Sequence, residues 1–365
     1  MPCLYPFPYS LLPTPYSLPL QGVVNMGSVK DLTVTKSPRE NAFGEGYFTF
    51  SDRYSVFDWG EMPDHIPGKG ESLCLMGAYF FERLGEAGWK THYRGLISNG
   101  ESKLLKDVKE PTRRMKVALV RVIHPPLVGD SYDYGVYRSN ETNFLVPFEF
   151  IYRNTLPKGS SFRRRAEKGQ IRLDDYGLHS LPSPEVVLER PILDVSTKLE
   201  EQDRYLSWEE AASLNILTPE EIERAQDILV QADQMITGVC SNIGLQNEDG
   251  KIELALDPNR EFLFVDVLGT PDECRFTCQG IHLSKEVARD FYRSTPWYEE
   301  LQEIKDKDPV GWKERVTSQP PHLPKELTKA IGWLYQRLAV DFTGYNWFPE
   351  VPALENILDE LKKFR

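Results

Sequence analysis

The sequence has no long hydrophobic run, few cysteines and no excess of positive charge. No uninterrupted apolar stretch approaches the roughly 20 residues that a membrane-spanning helix requires. The formal net charge of −12 at pH 7 argues against a general binder of nucleic acids or membrane surfaces. The five cysteines are scattered, and Cys274 and Cys278 have no second Cys/His pair to complete a zinc site. Reduced thiols in the cytoplasm are therefore expected.

The first 25 residues differ from the rest because they contain no charged side chain and are rich in Pro, Tyr and Leu. A secretory signal would begin with basic residues and continue with an apolar, proline-poor core, and this segment has neither. Proline at this density opposes both helix and strand interiors. We therefore expect residues 1–25 to be disordered, or to precede a true start at Met26.

The remaining chain begins with strand patterns and continues as a mixture of strands and helices. Strands are predicted at 43–50, 115–123 and 144–152, with a polar, Tyr-rich insertion at 124–143. A chain of 365 residues is long enough for two domains. The order of elements favours an α+β fold over a parallel sheet. We expect an N-terminal domain at 26–150 and a C-terminal domain at 151–365.

Helix signals are strongest in the second half of the chain. Thr218-Pro-Glu-Glu is a capping box with Pro at the first helical position. Apolar residues at helical spacing follow it and also recur near 73–87, 326–341 and 353–364. The basic segment 158–168 is expected to be a loop.

A hairpin near residue 250 carries charged side chains next to one another. Alternation predicts a strand with apolar Ile252, Leu254 and Leu256 on one face and charged Lys251 and Glu253 on the other. A turn leads to a returning strand at 261–268 that contains Asp266. Two neighbouring carboxylates suit an oxygen-ligated Mg²⁺, and a nearby Lys suits a phosphate.

Several motifs occur together in an order that identifies a family. They are Ser-Asp-Arg-Tyr-Ser-Val-Phe-Asp at 51–58, Ile-Pro-Gly-Lys-Gly at 66–70, Leu-Val-Pro-Phe-Glu-Phe-Ile-Tyr-Arg-Asn at 145–154, and Asp-Gly-Lys-Ile-Glu at 249–253 with Thr-Pro-Asp-Glu-Cys-Arg at 270–275. In this order the blocks resemble the phosphoribosylaminoimidazole-succinocarboxamide synthases, or SAICAR synthetases. Shorter matches extend the resemblance from Met26 to about Gly344.

The resemblance implies a two-domain α+β fold in which ATP lies between a smaller N-terminal sheet domain and a larger C-terminal domain. It implies a cytoplasmic, Mg²⁺-dependent ligase of de novo purine biosynthesis. This family joins the carboxylate of carboxyaminoimidazole ribonucleotide (CAIR) to L-aspartate through an acyl phosphate, giving SAICAR, ADP and phosphate. The partners are then small molecules, without nucleic acid or membrane, and a homo-oligomer is compatible with this assignment.

The resemblance also assigns roles to residues of this chain. Glu253 and Asp266 correspond to the Mg²⁺ ligands, and the catalytic set is Lys251, Asp272 and Arg275. The nucleotide positions are Ser28, Lys30 and Lys69, together with the two metal ligands. The substrate positions are Ser51, Asp52, Arg53, Arg153, Ser160, Lys198, Asp203 and Arg275. The spacing after Arg153 is one residue longer than usual, so Ser161 is an alternative to Ser160.

Three departures from the family pattern keep other functions open. Ser28 stands where Lys is common, Val267 replaces a Glu, and Gln202 replaces a His before Asp203. One alternative is a phosphotransferase acting on inositol or another polyol, which would not need an aspartate-binding loop after Lys198. Arg153, Ser160 and Arg275, which make a second anion-binding site beyond ATP, distinguish the ligase from it. The other is a nucleotide-binding regulator without catalysis, which would bind ATP without turnover.

Overall fold

The structure, a computed structural model, describes residues 24–27, 29–137, 140–308 and 311–364. The predicted N-terminal segment therefore lies outside the described residues, except for its last two positions. Val24 and Asn25 belong to the first strand, where they pair with Thr33 and Leu32. The first described strand thus begins two residues before Met26.

The first sheet is antiparallel and is formed by the N-terminal part of the chain. Its strand order is β1 (Val24–Met26), β2 (Lys30–Lys36), β3 (Gly44–Phe50), β6 (Arg114–Leu119), β4 (Tyr93–Ser98) and β5 (Glu101–Lys103). Helix α1 (Lys69–Glu86) packs on β3, β4 and β6. The strand predicted at 43–50 is confirmed, whereas the one predicted at 115–123 already ends at Leu119.

The second sheet is also antiparallel and holds most of the charged motif residues. Its order is β11 (Tyr205–Leu206), β10 (Ile192–Thr197), β9 (Phe144–Arg153), β12 (Gln246–Leu256), β14 (Cys274–Cys278) and β15 (Ile281–His282), and β13 (Phe262–Val265) pairs with β12. Because β9 is continuous from Phe144, the predicted boundary at residue 150 falls inside a strand. The chain passes between the sheets at 120–143, where β7 (Leu127–Val128) and β8 (Ser131–Tyr132) form a separate hairpin.

The remaining helices belong to the second part of the chain. They are α2 (Ser161–Glu167), α3 (Trp208–Ser213), α4 (Pro219–Asn242), α5 (Glu286–Arg293), α6 (Pro296–Lys307), α7 (Trp312–Arg315), α8 (Lys325–Thr343) and α9 (Leu354–Lys362). The capping box at Thr218 is confirmed, since its hydroxyl accepts from the Glu221 N–H and the Glu221 carboxylate accepts from the Thr218 N–H. The predicted loop at 158–168 is wrong, because most of it is α2. Among the described residues, no helix combines the length and apolarity needed to cross a membrane.

The charged and the aromatic side chains of β9 and β12 lie on opposite faces of the second sheet. Phe148, Phe150, Ile252 and Leu254 are buried, and α4 packs on β9 and β12. Alternation then turns the odd-numbered charged residues of β9 and β12 toward the opposite face. The buried core therefore fixes which residues can meet a ligand.

The two sheets are joined by backbone hydrogen bonds. The Phe264 N–H donates to the Lys90 carbonyl and the His92 N–H donates to the Phe264 carbonyl, both at 2.9 Å. Helix α8 packs along α1. The end of β13 is consequently attached to the N-terminal sheet as well as to its own.

Candidate functional site

The polar face of β9 and β12 brings five predicted or neighbouring charged residues into register. Asp249 pairs with Arg153, and Glu253 pairs with Glu149. Lys251 lies between Asp249 and Glu253 on the same strand face. Two groups of ion pairs result, one that includes Lys251 and one that includes Asp249.

The first group, called the lysine cluster below, combines Lys30, Lys198 and Lys251 with Glu149, Glu253, Asp266 and Glu273. Lys198 Nζ lies 2.5 Å from Glu253 Oε1 and 3.6 Å from Glu149 Oε1. Lys251 Nζ lies 2.6 Å from Glu149 Oε1 and 3.4 Å from Glu273 Oε2. The N-terminal sheet contributes Lys30, whose Nζ is 2.7 Å from Asp266 Oδ1. The predicted residues Lys30, Lys198, Lys251, Glu253 and Asp266 are thus brought together.

The two predicted metal ligands have opposite electrostatic environments. Burial, followed by the charge of Asp266, raises the pKa of Glu253 above its usual range. Burial would also raise the pKa of Asp266, but Lys30 and Lys198 more than offset it and hold that pKa well below its usual range. The pair therefore carries an ionised Asp266 next to a carboxyl group that is costly to ionise, and a divalent cation would relieve that cost.

The donor set fits Mg²⁺ in one specific way. In the described part of the chain, no three His, Cys, Asp or Glu groups are arranged to hold a metal ion by themselves. Mg²⁺ is commonly held by one or two carboxylates together with substrate phosphates and water. Glu253 and Asp266 supply such a pair, so they fit a metal that is completed by a nucleotide.

The second group, called the arginine cluster below, combines Arg153, Arg165 and Arg275 with Asp194 and Asp249. Arg153 Nε donates to Asp194 Oδ2 at 2.9 Å, and its Nη1 lies 3.5 Å from Asp249 Oδ2. Arg165 also pairs with Asp194, and Arg275 binds both oxygens of Asp249, with Nε to Oδ1 at 2.8 Å. Two predicted arginines are therefore neighbours, and Arg165 is an additional member.

The two serines after Gly159 have different hydrogen-bond partners. The Ser160 hydroxyl accepts from the Arg163 N–H and caps helix α2. The Ser161 hydroxyl instead lies 3.1 Å from Arg153 Nη2 and 2.7 Å from the Tyr205 hydroxyl. Ser161 rather than Ser160 therefore lies beside Arg153, and the substrate role of Ser160 stays a prediction.

A cleft of about 1630 Å³ opens beside the arginine cluster. Arg165, Tyr176, Tyr205 and Trp208 are among the residues that line it. The Tyr205 ring lies under Arg165, with 3.9 Å between the guanidinium carbon and the ring centre. Arg165 is thus the arginine of the cluster that borders this open space.

Lys69, an expected nucleotide residue, and Asp272, an expected catalytic residue, pair with each other. Lys69 is fully buried at the start of α1, and its Nζ lies 2.7 Å from Asp272 Oδ2. The other Asp272 oxygen accepts from the Tyr335 hydroxyl at 2.6 Å. The ion pair buries Lys69, one of the expected nucleotide residues, and its nucleotide role stays a prediction. Asp272 has both oxygens engaged within the protein.

The predicted substrate residues at 51–53 hold the N-terminal strands in place. The Ser51 hydroxyl donates to the Val29 carbonyl, and Asp52 accepts from the Gly70 N–H. Arg53 pairs with Asp31 and donates to the Gly27 carbonyl. These contacts fix the segment that carries Lys30, whereas Ser28 itself lies outside the described residues.

Asp203 and Lys198, two of the expected substrate residues, lie in different surroundings. Asp203 is exposed on the connection between β10 and β11, while Lys198 reaches into the lysine cluster. Glu149, Glu273, Asp194 and Tyr205 were not predicted. Glu149 could have been found, because it is the one charged residue inside the apolar run 144–152.

Comparisons with known proteins agree on one family. A model of the SAICAR synthetase family matches residues 24–305. A protein of Archaeoglobus fulgidus, provisionally named phosphoribosylaminoimidazole-succinocarboxamide synthase, is 47% identical over 338 residues, covering 93% of this chain and 99% of the relative.

Solved structures of low sequence identity share the fold. A SAICAR synthase from Saccharomyces cerevisiae in complex with SAICAR has a TM-score of 0.58 at 19% identity, covering 92% of this chain and 99% of that one. A type-2 SAICAR synthetase in complex with ADP has a TM-score of 0.53 at 21% identity, covering 82% and 100%.

Proposed function

The chain belongs to the SAICAR synthetase family, and we propose that the polar face of β9 and β12 is its active site. The activity is ATP-dependent ligation in purine biosynthesis, joining CAIR to L-aspartate, and the phosphotransferase and regulator alternatives are not favoured. In the proposed arrangement the lysine cluster serves the nucleotide and the reacting carboxylate, and the arginine cluster holds the ribonucleotide phosphate. The observation that carries this is the shared register of β9 and β12.

The reaction requires little covalent chemistry from the protein. A carboxylate is a poor electrophile, so the CAIR carboxylate first attacks the ATP γ-phosphorus and ADP leaves. The L-aspartate amine then attacks the acyl carbon and phosphate leaves, while the amine loses a proton. Both steps depend mainly on positioning and on cations that neutralise phosphoryl charge.

The lysine cluster matches the first requirement. Its three lysines face four carboxylates, so the protein alone has an excess of negative charge there. Mg²⁺ held by Glu253 and Asp266 would neutralise charge on the transferring phosphoryl oxygens. Lys30, Lys198 and Lys251 would then be free to donate to phosphate and carboxylate oxygens. The ADP in the structure of a type-2 relative supports nucleotide binding.

The arginine cluster has the opposite balance, because three guanidinium groups share two carboxylates. Guanidinium groups bind phosphates through parallel N–H donors, and Arg275 uses only Nε and Nη2 for Asp249. Ser161 and Tyr205 add hydroxyl groups beside Arg153. This cluster is accordingly assigned to the ribonucleotide phosphate, next to the open cleft.

L-aspartate is assigned to the space between Lys198 and the exposed Asp203. Lys198 would bind a carboxylate of the amino acid and Asp203 its ammonium group, which places the amine near the lysine cluster.

The four described cysteines are free thiols, as expected for a protein of the reducing cytoplasm. We assign the enzyme to that compartment.

Isotope transfer tests this assignment directly. With ¹⁸O in the CAIR carboxylate, the acyl-phosphate route must deliver one ¹⁸O atom to the released phosphate. ADP release should require L-aspartate, CAIR and Mg²⁺ together. Phosphate without ¹⁸O would exclude the acyl phosphate, and ADP release with a polyol alone would favour a phosphotransferase.

A further inference from the structure

Asp266 is held by the N-terminal sheet at two separate atoms. Its carboxylate pairs with Lys30, as described above. Its backbone carbonyl lies 3.1 Å from Nε2 of His92. Lys30 belongs to β2 and His92 directly precedes β4, although Asp266 itself follows β13 of the second sheet.

The backbone of Asp266 has an unusual conformation. Its φ of 60° lies in the left-handed region, which L-residues rarely adopt outside tight turns. Such a conformation persists where surrounding contacts hold it, and it is common at functional sites. It turns the Asp266 side chain toward Lys30 while Val267 is buried against Gly77. The orientation of the Asp266 carbonyl is thus coupled to the direction of its carboxylate.

His92 is fixed on all sides and cannot easily turn away. Its ring centre lies 5.5 Å from that of Phe48 and 5.2 Å from that of Phe81. Its backbone N–H donates to the Phe264 carbonyl at 2.9 Å, and its carbonyl accepts from the Ala118 N–H at 2.7 Å. Because a carbonyl oxygen can only accept, Nε2 carries the hydrogen in the bond to Asp266.

We propose that His92 is a positioning residue whose Nε2–H bond to the Asp266 carbonyl directs the Asp266 carboxylate and thereby sets the affinity for metal-bound nucleotide. The inference rests on the proposed role of Asp266 as a metal ligand. Groups that orient metal ligands typically change metal affinity by about 10- to 100-fold when they are removed. In this role His92 acts through Asp266 rather than by contacting substrate or cofactor.

Two substitutions separate the hydrogen bond from the packing of the ring. His92→Phe keeps an aromatic ring between Phe48 and Phe81 but has no donor, and His92→Leu serves if that variant does not fold. His92→Gln keeps a neutral N–H donor. Binding of Mn²⁺·ADP, followed by electron paramagnetic resonance without turnover, should weaken about tenfold or more in the non-donor variant. The Gln variant should recover most of this loss, and amides at 266–269 should exchange hydrogen faster only in the non-donor variant.

A control at the neighbouring residue distinguishes positioning from stability. Tyr93→Phe removes the 2.8 Å bond to Glu82, and it should lower the melting temperature without changing Mn²⁺·ADP binding. Asp266→Asn tests the premise. Unchanged binding in Asp266→Asn would overturn the metal assignment itself. Weakened binding there with normal binding in the non-donor His92 variant, or with no rescue by Gln, would overturn the inference about His92 alone.

Discussion

The lysine and arginine clusters lie side by side on the same strands but are built differently. Asp249 in the arginine cluster is two residues from Lys251 in the lysine cluster. In the lysine cluster each ammonium group meets one or two carboxylates as a single charge. In the arginine cluster each aspartate is shared by two guanidinium groups. The same two strands thus carry members of both groups, which are flexible point charges in one and planar donors that share carboxylates in the other.

This difference matches what the two groups are proposed to bind. A lysine ammonium can exchange one anionic partner for another by rotating a flexible stem, whereas arginine offers a fixed fork that suits a phosphate. The excess charge also differs in sign, negative among the lysines and positive among the arginines. A protein of net charge −12 can therefore place anionic ligands without a generally basic surface.

The largest effect is expected in the lysine cluster, where carboxylates outnumber lysines. Glu253→Gln removes a carboxylate charge while keeping the side-chain size, so metal-bound nucleotide should lose a ligand. We expect kcat to fall by roughly 10² to 10³, as when one electrostatic group that stabilises a transition state is removed. Glu261→Gln, on the exposed turn of the same hairpin, should keep normal kinetics. Full activity of Glu253→Gln at low Mg²⁺ would remove Glu253 from the site.

The distinction between fork and point charge can be tested at Arg275. Arg275→Ala should raise the KM for CAIR by roughly 10- to 100-fold, because a hydrogen bond to a charged group contributes about 1.5–3 kcal/mol. Arg275→Lys keeps the charge and should still lose much of this affinity, while the KM for ATP stays near its normal value. Arg164→Ala, an exposed arginine on α2, is the matched control. Equal kinetics for Arg275→Lys and wild type would show that geometry is unimportant there.

A smaller effect separates the two serines that precede and begin α2. Ser160→Ala should lower the free energy of unfolding by about 1 kcal/mol through loss of a helix cap, without changing the KM for CAIR. Ser161→Ala should raise that KM several-fold, equivalent to about 0.5–1.5 kcal/mol, with little change in stability. Urea unfolding and steady-state kinetics on both variants would measure this. The reverse pattern would favour Ser160 over Ser161 as the substrate residue.

The smallest effect concerns acid stability at the edge of the arginine cluster. Burial would raise the pKa of Glu286, but Arg289 and Arg275 more than offset it and hold that pKa at about 2, below its ordinary value of 4.5. Stabilisation by this pairing is therefore complete above about pH 4.5 and is lost as the pH falls toward 2. Glu286→Gln should show a weaker loss of unfolding free energy than wild type between pH 5 and 3. Parallel curves would indicate that the pairing contributes nothing.

Local patterns predicted the elements that carry the site. The alternation around Lys251 and Glu253 predicted a strand with one charged face, and the core behind Ile252 confirms it. The capping box at Thr218 predicted the start of α4. These signals succeed because they depend on neighbours only a few residues away.

Partners that are distant in sequence could not be predicted in the same way. Lys69 and Asp272 are 203 residues apart, and no local pattern near either residue predicts the ion pair. His92 and Asp266 are 174 residues apart. The helix at α2 was missed for another reason, since its arginines looked like a solvated basic loop. Tertiary contacts at Asp194 and Tyr205 turn one of them, Arg165, inward.

The packing of α1 against α8 also bears on how the chain is made. Helix α1 is synthesised early. Its buried Lys69 can contact Tyr335, and the helix can pack along α8, only after residue 343 has left the ribosome. Gly332 marks how tight this joint is, because a Cβ there would lie 2.7 Å from the Pro67 carbonyl oxygen. Until α8 is present, one side of helix α1 is uncovered and exposed to chaperones and to other nascent chains. The last tenth of the protein therefore completes the packing of the first third.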